Sequence, residues 1–228
     1  MEELEATERT RLRRLPRRGS FDRDTINAII DQALFCHIGF VHQGSPFVIP
    51  TLHVRIGDRI YVHGSAASRM LRAAAEGIPL CATITHIDGL VLARSAFHHS
   101  VNYRSAVIVG TGHEVADQRE KNRVLEALVE HIVPGRWREV RPPAPKELAA
   151  TSVIGMPITE ASAKIRSGNA IDDEEDYALP VWAGVIPLRT VAEAAIADER
   201  VPGSVAMPRY VAEYLPPSAR WNDNGKAD

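Results

Sequence analysis

A short stretch of the chain combines residue types that bind an anion with the pattern of a helix start. Residues 60–69 read Ile-Tyr-Val-His-Gly-Ser-Ala-Ala-Ser-Arg, so a strand-like run ends at a glycine and a helix begins a few residues later. The first amides of a helix lack intrahelical partners and carry a partial positive charge, which favours an anion there. The hydroxyls of Ser65 and Ser68 add donors, and Arg69 can form paired hydrogen bonds with phosphate oxygens. A helix cap beside an exposed arginine explains the same ten residues equally well, so both interpretations stay open.

The stretch is not one of the common nucleotide-binding loops. It lacks the Gly-Lys-Ser/Thr of a Walker loop, and no Gly-x-Gly-x-x-Gly follows a strand anywhere in the sequence. Gly110 and Gly112 lie inside a strand-like run rather than after one. A phosphate bound at residues 60–69 would therefore be held by a different arrangement.

A second polar stretch, residues 93–105, is too rich in functional side chains to be only a connection. It contains two His, three Ser, two Arg, one Asn and one Tyr. His98 and His99 are adjacent and cannot both face one metal ion from a strand, and the sequence has no His-Glu-x-x-His. The two cysteines, Cys36 and Cys81, are too few for a four-cysteine zinc site. We therefore predict a polar loop of functional importance and no metal site.

The sequence resembles the flavin-nucleotide-binding branch of the pyridoxamine 5′-phosphate oxidase superfamily, and the resemblance is clearest in residues 63–69, 88–100 and 102–105. This branch includes the nitroimidazole-reductase-like proteins. The resemblance extends from the Arg-Thr-Arg at residues 9–11 to the Pro-Val-Trp-Ala-Gly at residues 180–184, and so covers most of the chain. It implies a split β-barrel, FMN as the cofactor, and a homodimer with two flavins at the subunit interface.

The resemblance also implies which residues contact the cofactor. Ser68 and Arg69 match the family's phosphate clamp, and the strand at residues 48–53 matches the one that runs along the isoalloxazine ring. A loop that reaches the flavin from the partner subunit and an aromatic residue beside the ring are matched as well, although Trp182 could equally be buried in the core. The cofactor-binding residues implied in this way are Pro50, Thr51, Leu52, His63, Gly64, Ser65, Ser68, Arg69, Asn102, Tyr103, Arg104 and Trp182.

Two departures separate the chain from the true pyridoxamine phosphate oxidases. Met70 follows Arg69 where those enzymes have a lysine, so one phosphate cation is missing. No histidine occurs after His131, so their C-terminal Arg-x-His-x-Arg substrate motif is absent. We therefore do not expect this chain to oxidise pyridoxamine phosphate.

The resemblance implies an FMN-dependent oxidoreductase that takes hydride from a reduced nicotinamide nucleotide and passes electrons to an unidentified small molecule. His98 and His99 are the candidate catalytic residues, as proton donors near the ring, although each could be structural. One alternative is a reductase that uses the deazaflavin F420 on the same barrel. Another is a non-catalytic flavin or haem carrier, in which His98 or His99 would be the axial haem ligand.

The periodicity around these stretches predicts a mainly β protein of α+β class, an antiparallel barrel with flanking helices. Helices are expected over 26–34, after a cap by Asp22 or Asp24, over 67–76, over 118–132, capped by Asp117, and over 190–199. Asp88-Gly89 predicts a tight hairpin between strands 80–87 and 90–94. Further strands are expected over 36–41, 47–56, 59–63, 105–115, 153–165 and 181–188.

The charge pattern limits the possible partners. The chain has 27 basic and 29 acidic residues, a formal net charge of −2, so no general field attracts a polyanion. Six arginines fall within residues 9–18, but acidic residues flank them and nearly cancel their charge. We predict a solvated or subunit-clasping arm over 1–21, a flavin-binding domain over 22–201 and an irregular tail over 202–228, with no nucleic-acid partner.

The sequence also predicts a cytoplasmic protein. Residues 1–5 read Met-Glu-Glu-Leu-Glu, which is too acidic and polar for a secretory signal. No run is apolar and long enough for a membrane span. The two cysteines lie in strand-like runs, as buried thiols do in a reducing compartment.

Overall fold

The computed structural model describes residues 2–220, and this part of the chain folds into an antiparallel sheet of ten strands with five α-helices around it. The strands are β1 (Gly19–Ser20), β2 (Phe35–His42), β3 (Ser45–Ile56), β4 (Arg59–Ser65), β5 (Pro79–Leu92), β6 (Ser100–Thr111), β7 (His113–Glu114), β8 (Thr151–Pro157), β9 (Ala161–Arg166) and β10 (Gly184–Pro187). The helices are α1 (Arg23–Asp31), α2 (Arg69–Ala75), α3 (Gln118–Ile132), α4 (Pro145–Ala150) and α5 (Arg209–Ala212). The predicted fold class, mainly β with flanking helices, is confirmed.

The strands are ordered β1-β9-β6-β5-β2-β3-β4-β8-β7, and β10 pairs with the far end of β5. Within the described residues this path does not close on itself into a complete barrel. β3 connects the two halves of the sheet, since residues 45–52 pair with β2 and residues 53–56 pair with β4. The first part of β3 therefore keeps one open edge in residues 2–220, which is where a strand tolerates Pro46 and Pro50.

Two apolar cores form on either side of β4. The larger core is built from α1, α2 and strands β2, β4, β5, β6, β8 and β9. The smaller core lies under α3, where Val124 and Leu128 pack against Tyr61. Successive residues of a strand point to opposite faces, so Ile60 enters the first core while Tyr61 enters the second.

The predicted caps of α1 and α3 are confirmed, although α1 spans Arg23–Asp31 and not the expected 26–34. The Asp22 carboxylate accepts a hydrogen bond from the Thr25 amide at 2.9 Å. The Asp117 carboxylate accepts one from the Glu120 amide at 2.8 Å. Each bond satisfies an amide that the helix itself leaves unpaired, which is the reason for expecting an acidic cap.

The predicted hairpin at Asp88-Gly89 is wrong, because β5 continues through it with a shift of register between Ile87 and Gly89. The glycine is needed because another strand passes close to it, not because the chain turns there. A Cβ on Gly89 would lie 2.9 Å from Val185 Cγ1 and 3.0 Å from the Ile186 carbonyl oxygen of the neighbouring β10.

Three further expectations need correction. The strand expected over 153–165 is two strands, β8 and β9, and the helix expected over 67–76 begins only at Arg69. The helix expected over 190–199 is absent, since residues 188–208 hold no helix or strand. The N-terminal arm is not simply solvated, because Leu4 and Thr10 are buried.

The segment 179–207 leaves many large apolar side chains exposed. They include Leu179, Val181, Trp182, Ile186, Leu188, Val191, Ile196, Val201, Val205 and Met207. Each of them is at least 40% exposed within residues 2–220. Among the same residues, none of the helices has the length and hydropathy needed to cross a bilayer.

Candidate functional site

The turn between β4 and α2 presents a cation and a hydroxyl to solvent. Ser68 is the N-cap residue of α2, but its side chain makes no capping hydrogen bond. The Ser65 hydroxyl instead accepts a hydrogen bond from the Ala67 amide at 3.2 Å. Arg69 is exposed, its guanidinium carbon lies 4.3 Å from the ring centroid of Phe47, and no carboxylate of residues 2–220 forms a salt bridge with it. Ser68 and Arg69 can therefore both bind an added anion.

The neighbouring residues of this turn fix its shape. Met70 is buried in the larger core, so α2 presents Arg69 alone as a cation in its first turn. A Cβ on Gly64 would lie 3.1 Å from Leu71 Cδ1, so the glycine lets β4 pass close to α2. Burial lowers the pKa of His63, and its Nδ1 is buried without a hydrogen-bond partner in the described structure. His63 is accordingly neutral at pH 7 and adds no charge to the turn.

The strand expected along the flavin ring presents a largely apolar surface. Pro50, Thr51 and Leu52 lie on β3 opposite His37, Cys36 and Phe35 of β2. Pro50 is fully on the surface, while Thr51 and Leu52 are half-buried. Phe35, Val41 and Val48 extend the face of Pro50 and Leu52, whereas Ile49 and Thr51 point to the opposite face, which also carries Phe47. A flat aromatic ring could lie against it.

Asn102 and Arg104, expected to reach the cofactor, already have partners within the chain. Asn102 is buried, and its amide nitrogen donates to the Gly168 carbonyl at 3.1 Å while its oxygen accepts from Arg166. Arg104 forms a paired bond with Asp88, Nε to Oδ2 at 2.9 Å and Nη2 to Oδ1 at 2.8 Å. These bonds hold the start of β6 in one position, and the half-buried Tyr103 lies between them.

His98 and His99 differ in what holds them. His98 Nε2 lies 3.3 Å from Asp173 Oδ2. His99 Nδ1 donates to the Ser95 carbonyl at 2.9 Å, which leaves Nε2 with a free lone pair on an exposed side chain. The adjacent Phe97 is 89% exposed. Of the two, His99 has the geometry of a neutral ligand.

Trp182 lies on the surface. It is 69% exposed, and its ring covers Gly184, where a Cβ would come within 2.9 Å of Trp182 Cη2. The alternative of burial in the core is wrong for the single chain. Because Gly184 pairs with Leu92, Trp182 lies beside the same end of β5 as Asn102.

The expected site residues form two groups that one chain does not bring together. Arg69 lies against Phe47 of β3. Phe47 pairs with Phe40 of β2, and Phe40 pairs with Leu80 of β5. Asn102 pairs with Gly89, nine residues further along that strand. At about 3.3 Å per residue the separation along β5 is about 30 Å. The first group holds the turn at 63–69, and the second holds Asn102, Tyr103, Arg104 and Trp182. Pro50, Thr51 and Leu52 lie between the two groups, since Pro50 pairs with His37, which pairs with Thr83 of β5.

Sequence reasoning missed the residues that support the second group. Arg166 holds the oxygen of Asn102, and Asp172 accepts hydrogen bonds from the amide and the guanidinium of Arg94 at 3.0 and 3.1 Å. Each contact joins residues more than sixty positions apart, and no local pattern marks them. In residues 2–220 no group of three or more His, Cys, Asp or Glu side chains is arranged to hold a metal ion.

The comparison with known proteins agrees with the resemblance seen in the sequence. The profile of the family described as pyridoxamine 5′-phosphate oxidase matches residues 22–165. No curated protein matches the chain.

Two solved structures are similar over almost the whole chain. The flavocytochrome Anf3 from Azotobacter vinelandii is 40% identical with a TM-score of 0.87, covering 91% of this chain and 97% of its own. The FAD and haem binding protein from Mycobacterium smegmatis is 37% identical with a TM-score of 0.82, covering 85% of this chain and 95% of its own.

A third structure shares the fold at lower identity. It is a proposed 5-nitroimidazole antibiotic resistance protein from Bacteroides thetaiotaomicron, 22% identical with a TM-score of 0.52, covering 63% of this chain and 84% of its own.

Proposed function

The chain belongs to the pyridoxamine 5′-phosphate oxidase family, and we propose that it is a redox protein that binds a flavin nucleotide. The observation that carries this proposal is the similarity to a flavocytochrome and to an FAD and haem binding protein, each over at least 85% of the chain. The surface around α2 and β3 fits such a ligand.

The residues present suit the two ends of a flavin nucleotide. Arg69, exposed and without a carboxylate partner among the described residues, would hold the phosphate together with the Ser68 hydroxyl. The backbone of residues 48–52 along the open edge of β3, with Ile49 and Thr51 on the same face as Phe47, would support the ring. When bound, a flavin supplies hydride and single-electron transfer, while the protein orients it and sets its electrostatic surroundings.

The proposed site suits either of two flavin nucleotides. FMN and FAD share the ribityl phosphate that Arg69 would hold, so the turn at 63–69 suits both. The resemblance implies FMN, whereas one similar protein is named for FAD. We propose that a reduced nicotinamide nucleotide donates hydride to the flavin and that a small molecule accepts the electrons. The flavin released from the purified protein identifies the cofactor by chromatography, and oxidation of NADH or NADPH tests the donor.

Haem is a second candidate ligand, and His99 favours it. A haem-ligating histidine coordinates through one ring nitrogen while the other donates to an oxygen that fixes the tautomer. His99 has this arrangement, with Nδ1 bound to the Ser95 carbonyl and its side chain exposed. His98 is less suited, because its Nε2 faces Asp173.

The absorption spectrum of the purified protein separates these functions. We expect the bands of a bound flavin, and a Soret band if haem is also held. His99→Ala should abolish the Soret band while the neighbouring His98→Ala keeps it. Protein that binds neither FMN nor FAD after reconstitution contradicts the proposal, and selective binding of F420 would support the deazaflavin alternative.

We further propose a homodimer. The two groups of site residues lie about 30 Å apart along β5, so a flavin held by both needs Asn102 and Tyr103 from a second chain. The exposed apolar segment 179–207 would cover part of that partner.

We do not extend pyridoxamine phosphate oxidation to this chain, although the family bears that name. The lysine that adds a phosphate cation in the true oxidases is replaced by the buried Met70. Incubation with pyridoxamine phosphate and flavin should give no pyridoxal phosphate at catalytic rates.

A cytoplasmic location remains part of the proposal. Cys36 and Cys81 are both free, and burial raises the pKa of Cys36 to about 12, so its thiol is unreactive. Two unpaired thiols suit a reducing compartment.

A further inference from the structure

A pocket of about 350 Å³ lies at the end of β9, on the side of the sheet edged by β1. It is separate from the turn at 63–69. Its walls combine three arginines with a serine and two isoleucines, namely Arg17, Arg18, Arg166, Ser167, Ile165 and Ile171. Such a lining suits a small ligand with a strongly anionic group.

The N-terminal arm is folded so that two of these arginines are held at the pocket. Leu15 adopts a left-handed backbone conformation with φ of 54°, and residues 16–18 form one 3-10 turn. β1 then pairs with β9, with Gly19 opposite Lys164. A Cβ on Gly19 would lie 2.2 Å from Leu12 Cδ1, so the Leu12 side chain packs directly on the backbone of β1. Arg17 and Arg18 are therefore brought to β9 by the fold and do not belong to a free arm.

Arg166 is a buried cation without an anionic partner. Its side chain belongs to a residue only 7% exposed, and its guanidinium donates to the Asn102 side-chain oxygen and, at 3.3 Å, to the Asn169 carbonyl. These acceptors are neutral. No carboxylate of residues 2–220 forms a salt bridge with any of the three arginines.

The electrostatics of this arrangement are unfavourable without an anion. Burial and the charge of Arg18 lower the pKa of Arg166, which shows that the protonated form is penalised there. A buried charge that lacks a counter-ion is costly, and like charges at short range add to the cost. An anion in the pocket would remove both penalties.

We propose that this pocket binds a phosphate group through Arg17, Arg18 and Arg166. The planar guanidinium matches the oxygens of phosphate with paired hydrogen bonds, and Ser167 adds a hydroxyl donor. Phosphate fits better than a single carboxylate, because its larger charge and additional oxygens can engage several arginines at once. Ile165 and Ile171 would contact the organic part of the ligand.

The phosphate could come from two sources. One is a free phosphorylated small molecule. The other is the phosphate of a cofactor held across a dimer, because Arg166 contacts Asn102, which the resemblance places near the partner's flavin. The proposal does not depend on flavin binding, since the first measurement uses pyrophosphate on cofactor-free protein.

Calorimetric titration with pyrophosphate tests the site. We expect saturable binding to the native chain, weakened at least about tenfold by Arg18→Ala, as for the loss of one charge-assisted hydrogen bond. Arg14→Ala is the matched control, since Arg14 is an exposed arginine of the same arm that does not line the pocket. Its affinity should equal that of the native protein. No saturable binding, or equal weakening by both substitutions, overturns the proposal.

Thermal unfolding of both variants shows whether the arm still packs. If Arg18→Ala lowers the unfolding midpoint, Arg18→Lys provides the second measurement, because it keeps the charge but loses the paired geometry. Its affinity for pyrophosphate should fall between those of the native protein and Arg18→Ala. An affinity equal to the native value would overturn the role of paired guanidinium bonds.

A titration of flavin-loaded protein identifies the source of the phosphate. Unchanged pyrophosphate affinity assigns the pocket to a separate ligand. Competition, together with weaker FMN or FAD binding in Arg18→Ala and unchanged riboflavin binding, assigns it to the cofactor phosphate. If the flavin proposal itself fails, the cofactor-free titration still decides whether the pocket binds phosphate.

Discussion

Arg69 is the side chain on which the flavin proposal can be tested most directly. It stacks on Phe47 at 4.3 Å and has no carboxylate partner in residues 2–220, so its guanidinium is already oriented and still able to bind an anion. Replacing it with alanine should weaken FMN by about 1.5–3 kcal/mol, the usual worth of a hydrogen bond to a charged group. Riboflavin lacks the phosphate and should lose far less affinity. Fluorescence titration measures both.

The control for this substitution lies one turn further along α2. Arg72 is also exposed, and its amide bonds the Ser68 carbonyl at 3.0 Å, but it is the guanidinium of Arg69 that lies over Phe47. Arg72→Ala should leave FMN affinity unchanged. Equal losses for FMN and riboflavin in Arg69→Ala would show that the residue does not hold the phosphate.

At this scale, contiguous patterns could be predicted and distant contacts could not. The turn at 63–69 is a continuous run, so its residue types and order are visible in the sequence. The bonds of Arg166 with Asn102 join β9 to β6 across 64 positions. Only the folded sheet brings these two residues together, and neither has a local signature.

Among the elements, α1 has an unusual end that connects it to three other parts of the molecule. No basic side chain lies in its last turn, and three histidines from other elements bind carbonyls at its end or just beyond it. His53 of β3 bonds the Ile30 oxygen at 3.1 Å, His86 of β5 bonds the Ile29 oxygen at 2.9 Å, and His131 of α3 bonds the Ala33 oxygen at 2.8 Å. Each imidazole thus joins a carbonyl at the end of α1, or just beyond it, to another element, and the Ile30 oxygen also accepts from the Ala33 amide at 3.2 Å.

This arrangement predicts loss of stability in acid. Burial lowers the pKa of His53 to about 4 and also lowers that of His86. In the unfolded chain a histidine titrates near its ordinary value of 6.5. Between these two values the unfolded state binds more protons than the folded state. The free energy of unfolding is therefore highest above pH 6.5 and falls as the pH drops towards 4. For His53 the loss is on the order of 3 kcal/mol.

His53→Gln tests this origin of the pH dependence. The glutamine amide can still donate to the Ile30 carbonyl but does not titrate, so the loss of stability between pH 6.5 and 4 should become smaller. Urea unfolding at several pH values measures it. His113→Gln, at an exposed histidine of β7, should keep the native pH dependence. A native pH profile in His53→Gln would contradict the prediction.

The elements that could be predicted are those fixed by neighbouring residues. The caps by Asp22 and Asp117 and the spacing of Ile26, Ile29 and Ile30 are local. They predicted the bounds of α3 correctly and the existence of α1, which begins and ends three residues earlier than expected. The Asp88-Gly89 pair has turn chemistry, but the glycine is needed because β10 passes over it. Residues 190–199 contain good helix formers, yet local propensity alone does not stabilise a short helix without packing.

For the whole molecule, the distribution of apolar surface supports the proposed homodimer. The family resemblance implied a dimer, but the sequence alone could not show which residues would face it, because exposure is a property of the folded chain. The structure leaves segment 179–207 extended with its large apolar side chains in solvent. The structure also separates Arg69 from Asn102. One interface between two chains would cover the apolar side chains and bring Arg69 of one chain near Asn102 of the other.

Substitutions in the extended segment test the dimer. Ile196 is 95% exposed and Val191 is 73% exposed in the single chain, so glutamate at both positions should be harmless or improve solubility if the protein is a monomer. In a dimer that covers them, each position loses about 1.5–3 kcal/mol of apolar burial and gains the cost of a buried charge. We therefore expect Ile196→Glu combined with Val191→Glu to sediment as a monomer and to lose bound flavin. Thr190→Glu combined with Ser204→Glu adds the same charge at exposed polar positions of the segment and should stay dimeric with full flavin content. Native protein that sediments as a flavin-saturated monomer would contradict the shared site, whatever the variants do.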